Sequence, residues 1–223
     1  VGGYASCGFY ALLNGYNPEA KSTNRTEYFI ECFHKFMREI SNNNIPLDFF
    51  SWHSYSGVNE NVAYTRYVRE QLDKYGYENT ENIFNEWNMG TGQRGTLKDS
   101  ADISANMLTL QNTSLDMLMY YDARPCGMNG MFNTDFVCDC LKGYYPFRMF
   151  NELYKLKNCV KAESDNVNIK ACAAVSEDGE NAAVMISYFD DNDNAPQEKI
   201  ELDINGLPDL TNVQIYILDE THD

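Results

Sequence analysis

At 223 residues, with 43% hydrophobic and 13% aromatic residues, the chain is long enough for one domain with a sizeable core, or for two small ones. A formal net charge of −16 argues against nucleic acid or an anionic membrane as partner, because both are bound through Lys/Arg surfaces. No apolar run approaches the ~20 residues that span a bilayer, and seven cysteines without repeated spacing form neither a disulfide framework nor a zinc site.

Val1-Gly2-Gly3-Tyr4-Ala5 reads as a strand whose glycines allow close backbone approach. A Gly/Asn/Pro-rich loop follows, 14–24. Apolar Phe29, Ile30, Phe33, Phe36, Met37 and Ile40 then recur at helical spacing, which predicts a helix with one buried face, capped by Thr26. His34 falls off that stripe and is expected on the surface. The near-continuous apolar run 47–52 suits a strand buried on both sides. It leads into His53 and Tyr55, one strand period apart and so on one face. A second amphipathic helix is predicted over 61–75, with Val62, Tyr67, Val68 and Leu72 inward.

Asn82-Ile83-Phe84-Asn85-Glu86-Trp87-Asn88 comes next. It is a short buried strand that delivers a carboxylate flanked by an amide and an indole. A solvated Glu at a strand end is the ordinary reading. The chemical one is that Glu86 attacks or accepts a hydrogen bond, Trp87 stacks on a pyranose face and Asn88 holds a hydroxyl. The polar, Gly-rich loop 89–98 is long enough to lie over a site. Asp99 is the expected cap of a third helix running to about Asn112, with Ile103, Met107 and Leu110 inward, and 116–122 is a fourth strand. In the loop that follows, Cys138-Asp139-Cys140 is too tight for paired metal ligands. The cysteines read as mostly free thiols, with a bridge from Cys126 to Cys138 or Cys140 as the exception. A fourth helix is predicted over 145–157.

From Lys161 onward the texture changes. Alternation over 169–175, 182–189, 199–204 and 213–218, separated by turn clusters, predicts an antiparallel sheet or small β-sandwich. The acidic run 190–194 lacks the spacing of a calcium-binding loop and reads as a solvated hairpin turn. Before this tail, strand and helix alternate four times, with whole-helix crossovers, which implies parallel β/α units. Four units are half of a TIM (β/α)8 barrel, whose full length is ~250 residues. The fold class is therefore α/β, with a partial barrel at 1–158 and a β-sandwich-like region at 159–223. In such barrels the chemistry sits at the C-terminal strand ends. Gly3, His53, Tyr55, Glu86 to Asn88 and Tyr121-Asp122 all fall there.

Five segments in order carry a family resemblance. They are Val1-Gly2-Gly3, residues 48–55, Asn85-Glu86-Trp87-Asn88, Tyr121-Asp122-Ala123-Arg124-Pro125, and Gly143-Tyr144-Tyr145-Pro146-Phe147 with Phe150-Asn151. Over about residues 1–158 the chain resembles the second half of glycoside hydrolase family 39 and its β-xylosidase-like relatives. The resemblance implies the C-terminal half of the barrel, a β-sandwich tail, a carbohydrate substrate and neither cofactor nor metal. It makes Glu86, at the end of strand seven, the nucleophile of a double displacement. It assigns His53 and Tyr55 to hydrogen bonds around nucleophile and sugar, and Trp87, Asn88 and Tyr121 to the subsite.

Retention needs a second carboxyl group ~5 Å away. The family's acid/base Glu lies on strand four, which would precede Val1. The chain is therefore expected to be a fragment or truncated product, weak or inactive alone. Its open sheet edges are expected to pair with another copy or with a missing N-terminal half. The alternative is a non-catalytic carbohydrate-binding or scaffold module. No Gly-x-Ser-x-Gly elbow or phosphate loop is present, and His34, His53 and His222 are too scattered for a metal site. The family points to a secreted or cell-associated enzyme, whereas the cysteine usage fits the cytoplasm.

Overall fold

Four strands, β1 (Gly2–Cys7), β2 (Phe49–His53), β3 (Glu81–Trp87) and β4 (Met117–Tyr120), pair side by side in chain order, all parallel. In this computed structural model, residues 1–15, 24–123, 131–133, 139–206 and 212–222 are described. Each crossover carries one helix: α1 (Arg25–Asn42), α2 (Val58–Lys74) and α3 (Leu97–Leu110). A fourth helix, α4 (Tyr145–Leu156), follows β4. This is the arrangement of half a (β/α)8 barrel, as the alternation of elements implies.

The helices cover one face of the sheet. Phe50, Trp52, Phe84 and Trp87 from the strands form a single core with Ile30, Phe33, Met37, Val68, Leu72, Ile103 and Met107 from the helices. Trp52 stacks on Phe84 with ring centroids 4.1 Å apart and 7° between planes. Its indole N–H donates to Asn82 Oδ1 at 2.8 Å, and Asn82 Nδ2 donates to the Thr65 carbonyl at 3.1 Å. A polar side chain at the centre of the core is thus satisfied from both sides. At the start of the sheet, a side chain on Gly2 would collide with the ring of Phe49, the close approach that a glycine there permits.

Three local expectations are corrected. The cap of α1 is Asn24, whose Oδ1 accepts from the Thr26 N–H at 3.0 Å. The cap of α3 is Thr96, whose hydroxyl accepts from the Asp99 N–H at 3.2 Å. Thr26 and Asp99 are first-turn residues, because a capping oxygen reaches the N–H groups two or three positions on. His34 is half-buried between α1 and α2, bonded to Tyr67 Oη at 2.7 Å and Tyr75 Oη at 3.2 Å. Burial, with the charges of Arg38 and Lys74, lowers its pKa to about 4.

The tail holds an antiparallel sheet of β5 (Asn158–Val160), β6 (Ile169–Val175) and β7 (Ala182–Tyr188), in that order. It sits on α3 and α4 through Leu108, Leu153, Cys172, Ala174 and Met185. The Ser187 hydroxyl donates to the Ala101 carbonyl at 2.9 Å. Strands are expected at 199–204 and 213–218, but the described residues there are neither strand nor buried. The acidic run is not a hairpin turn: among the described residues no strand follows it. Lys98 Nζ pins it to α3, donating to the Asp191 carbonyl at 2.6 Å and Asp193 Oδ1 at 2.8 Å. The suggested Cys126 bridge lies outside the described residues; Cys140 is a free thiol.

Candidate active site

The C-terminal ends of the four strands bring Cys7, His53, Glu86 and Tyr120 into line. Cys7 is in register with His53, His53 with Glu86, and Trp87 with Tyr120. The pairing of β3 slips on both sides at one place. Trp52 faces Phe84 while His53 faces Glu86, and Leu118 faces Phe84 while Tyr120 faces Trp87. One extra residue in β3, around Asn85, is thus accommodated as a bulge.

The bulge decides which side chain faces what. Strict alternation from Phe84 puts Glu86 on the helix-facing side and Trp87 on the other. With the extra residue, Trp87 returns to the side of Phe84. It is 1% exposed, edge-on to Tyr120 with centroids 5.1 Å apart. Glu86 is freed towards the strand ends, where the Tyr55 hydroxyl donates to its Oε1. The indole of Trp87 consequently presents no open face on which a sugar could stack.

Tyr55 lies beyond the end of β2 and is 42% exposed. Its backbone N–H donates to the Tyr10 hydroxyl at 3.1 Å. Tyr10 opens the short 3-10 turn Tyr10–Asn14 after β1, so two strand-end loops are tied together behind the carboxylate. The Ser54 N–H donates to the Glu86 carbonyl at 3.1 Å, which carries the β2–β3 pairing past the last strand residue. Burial raises the pKa of Tyr55, and its bond to Glu86 and that carboxylate's charge raise it further. The phenol therefore stays protonated and remains a donor throughout the working pH range. Burial also raises the Cys7 thiol, with the charge of Glu86 adding to it.

Asn88 is buried, with both ends of its amide engaged. Its Nδ2 donates to the Tyr121 carbonyl at 2.5 Å and its Oδ1 accepts from the Gly90 N–H at 2.7 Å. Gly90 has φ 100°, a conformation that favours glycine. Asn88 thus shapes the loop after β3 and ties it to the end of β4. Tyr121 is 37% exposed, and its N–H donates to the Trp87 carbonyl at 3.1 Å. The structure brings His53, Tyr55, Glu86 and Tyr121 to one end of the sheet, with Asn88 beneath them and Trp87 in the core. His53 Nδ1, Asn85 Oδ1 and Trp87 Nε1 are buried without a hydrogen-bond partner. Three such atoms on adjacent strands are costly where nothing completes them.

The sequence reading missed Tyr10 and the bulge, and it placed Gly3 at a C-terminal strand end, whereas Gly3 lies at the start of β1 and Cys7 at its end. Tyr10 stands in no motif; its signal is only a tyrosine a few residues past a strand end. The bulge leaves a fainter one, a polar Asn85 between apolar Phe84 and a residue that must be reachable.

No family model matches the sequence, and no curated protein matches it. Solved structures do. A glucosidase from Croceicoccus marinus is similar at 18% identity and a TM-score of 0.59, over 84% of this chain and 39% of its own. A GH39 β-xylosidase from Caulobacter crescentus is similar at 16% identity and a TM-score of 0.47, over 63% of this chain and 35% of its own. A family 44 endoglucanase from Clostridium acetobutylium ATCC 824 stands at 14% and 0.47, over 73% and 39%. At such identity the likeness to the glucosidase bears on the fold alone: this chain has a partial (β/α)8 barrel, and it spans well under half of each of these proteins.

Proposed function

We propose that this chain carries the nucleophile-bearing part of a retaining, β-xylosidase-like glycoside hydrolase. One observation carries the reading: Glu86 stands at the C-terminal end of a parallel barrel strand, re-aimed by a bulge and held by the hydroxyl of a half-exposed Tyr55. In this reading Glu86 attacks the anomeric carbon and the leaving-group oxygen departs. The glycosyl ester so formed is then hydrolysed by water. Tyr55 orients Glu86 by donating to one oxygen, leaving the other as nucleophile. His53 and Tyr121 face the sugar. Asn88 holds the loop, and Trp87 supports the strand end from the core.

The acid/base would come from further β/α units or from a second copy. General acid help is worth ~10²–10⁴-fold, so the chain alone would be a weak catalyst. The open face of the β1–β4 sheet favours such completion, as do the unpaired polar atoms of His53 and Asn85. We propose likewise that 1–158 forms the barrel portion and 159–223 an appended β-region.

A leaving group that needs no proton separates the two carboxyl roles. A 2-deoxy-2-fluoro β-xyloside of dinitrophenol should label the chain at Glu86 without an acid/base. Intact mass and peptide mapping should show one added glycosyl group, absent from Glu86→Gln. Labelling that persists in that variant overturns the assignment. Sugar binding without labelling of either protein favours a binding module.

A further inference from the structure

Five free cysteines lie among the described residues, Cys7, Cys32, Cys140, Cys159 and Cys172. Two of them face each other in the tail sheet. Cys159 on β5 is in register with Ala174 on β6, two positions from Cys172. Residues two apart on a strand share a face, so both thiols lie on one side of the sheet. Their sulfurs are 4.0 Å apart. A disulfide needs them about 2 Å closer. β5 can supply that movement, because it is a three-residue edge strand with every residue exposed. Cys172, by contrast, is buried against Leu108, Leu153 and Met185, where α3 and α4 meet the sheet. One thiol is open to solvent and the other is anchored in the core.

We propose that Cys159 and Cys172 are an oxidisable pair that closes into a disulfide between β5 and β6 under a hydroperoxide oxidant. The Cys159 thiolate attacks one peroxide oxygen and the O–O bond breaks, giving a sulfenic acid and, after protonation, water. The Cys172 thiolate then attacks the Cys159 sulfur. The S–S bond forms, the S–O bond breaks, and the departing hydroxide takes a proton to become a second water. Two thiols and one hydrogen peroxide give one disulfide and two waters. The product staples the strand that leaves α4 to the central strand of the sheet. Burial, together with neighbouring Cys159, raises the Cys172 thiol to about 11. Both steps need a thiolate, so joining quickens with pH.

Trypsin reads the result directly. Lys157, Lys161, Lys170 and Lys199 bound two separate peptides, 158–161 and 171–199, each with one cysteine. The full chain is treated with hydrogen peroxide, alkylated and digested without reductant. The two peptides should appear joined, at a mass two hydrogens below their sum, and should part on reduction. The rate of joining should rise roughly tenfold per pH unit near neutrality. Cys159→Ser, an exposed change that leaves the core intact, should abolish the product and leave Cys172 reduced. Recovery of the peptides unlinked, with Cys159 as sulfinic acid and Cys172 alkylated, overturns the proposal. So does a link from Cys159 to Cys7, Cys32 or Cys140, or a link that forms only in urea.

Discussion

The two faces of the β1–β4 sheet are built from the same kinds of residue and are treated differently. Towards the helices, Phe50, Trp52, Phe84 and Trp87 are essentially fully buried. On the opposite face Ser51 and Ile83 are largely covered, but Phe49 is 37% exposed, Met117 48% and Met119 47%. Parallel sheets are ordinarily covered on both faces. The first face holds the chain together, while the second is an apolar surface of the kind that marks an interaction site. The candidate site lies at the rim between them, where a bulge moves Trp87 to the first face and releases Glu86 from it.

The sharpest test of this contrast is a truncation on the helix side. Phe84→Ala removes the ring stacked on Trp52 and leaves a cavity in the core. It should cost about 3–5 kcal/mol, read as a lower midpoint in chemical denaturation. A loss under about 1 kcal/mol would mean that this face is not the stabilising one.

The next effect is smaller and depends on pH. Asp99 and Asp102 are both buried on α3. Burial raises Asp99 to about 6, against the pull of the Gly95 N–H and Arg94. Burial, then the charges of Asp99 and Asp191, raise Asp102 to about 7, against its bond from Asn106. The folded chain therefore keeps protons that the unfolded chain releases above pH ~4. The contribution of these two carboxyls is full below that pH and is lost as pH rises towards 7, by on the order of 3 kcal/mol for each. His34 works in the opposite sense, losing stability as pH falls from about 6.5 towards 4. The difference between wild type and Asp102→Asn isolates the carboxylate. The variant's resistance to denaturant should rise less steeply than that of wild type as pH falls from 7 to 4, and parallel profiles would exclude the buried Asp102 as the cause.

How much of this was legible follows from what each pattern measures. The order and parallelism of β1 to β4 could be read because continuous apolar runs alternate with helical periods, and that alternation admits few topologies. The caps could be located only to within two or three residues. Asn24 and Thr26, like Thr96 and Asp99, are all residue types that caps and first turns share. The tail shows the limit most plainly. Residues 199–204 and 213–218 alternate as β6 and β7 do, yet Leu202 and Ile215 stand exposed. Alternation records that a segment could lie half-buried in a sheet; whether it does depends on the neighbour offered. At the site, Glu86 and Tyr55 were legible as residue types near strand ends. Their contact was not, because strict alternation turns Glu86 the wrong way and the bulge enters through pairing with two other strands.

The smallest effect is expected on the open face, and there its smallness is informative. Met117→Lys places a charge where a methionine is already half in water. Nothing packed is lost, so the stability of the chain should change by no more than about 0.5 kcal/mol. The same charge should matter once that face is covered. A lysine beneath further β/α units or a second copy would be buried without a partner, which disfavours association strongly. Sedimentation velocity over a range of concentrations should therefore show self-association of wild type reduced in the variant, while the two denaturation curves coincide. A variant that lost several kcal/mol of stability would show Met117 already packed in this chain. Equal association of both proteins would move the contact surface to the sheet edges, β1 or β4, whose backbone groups a side-chain change at Met117 leaves untouched.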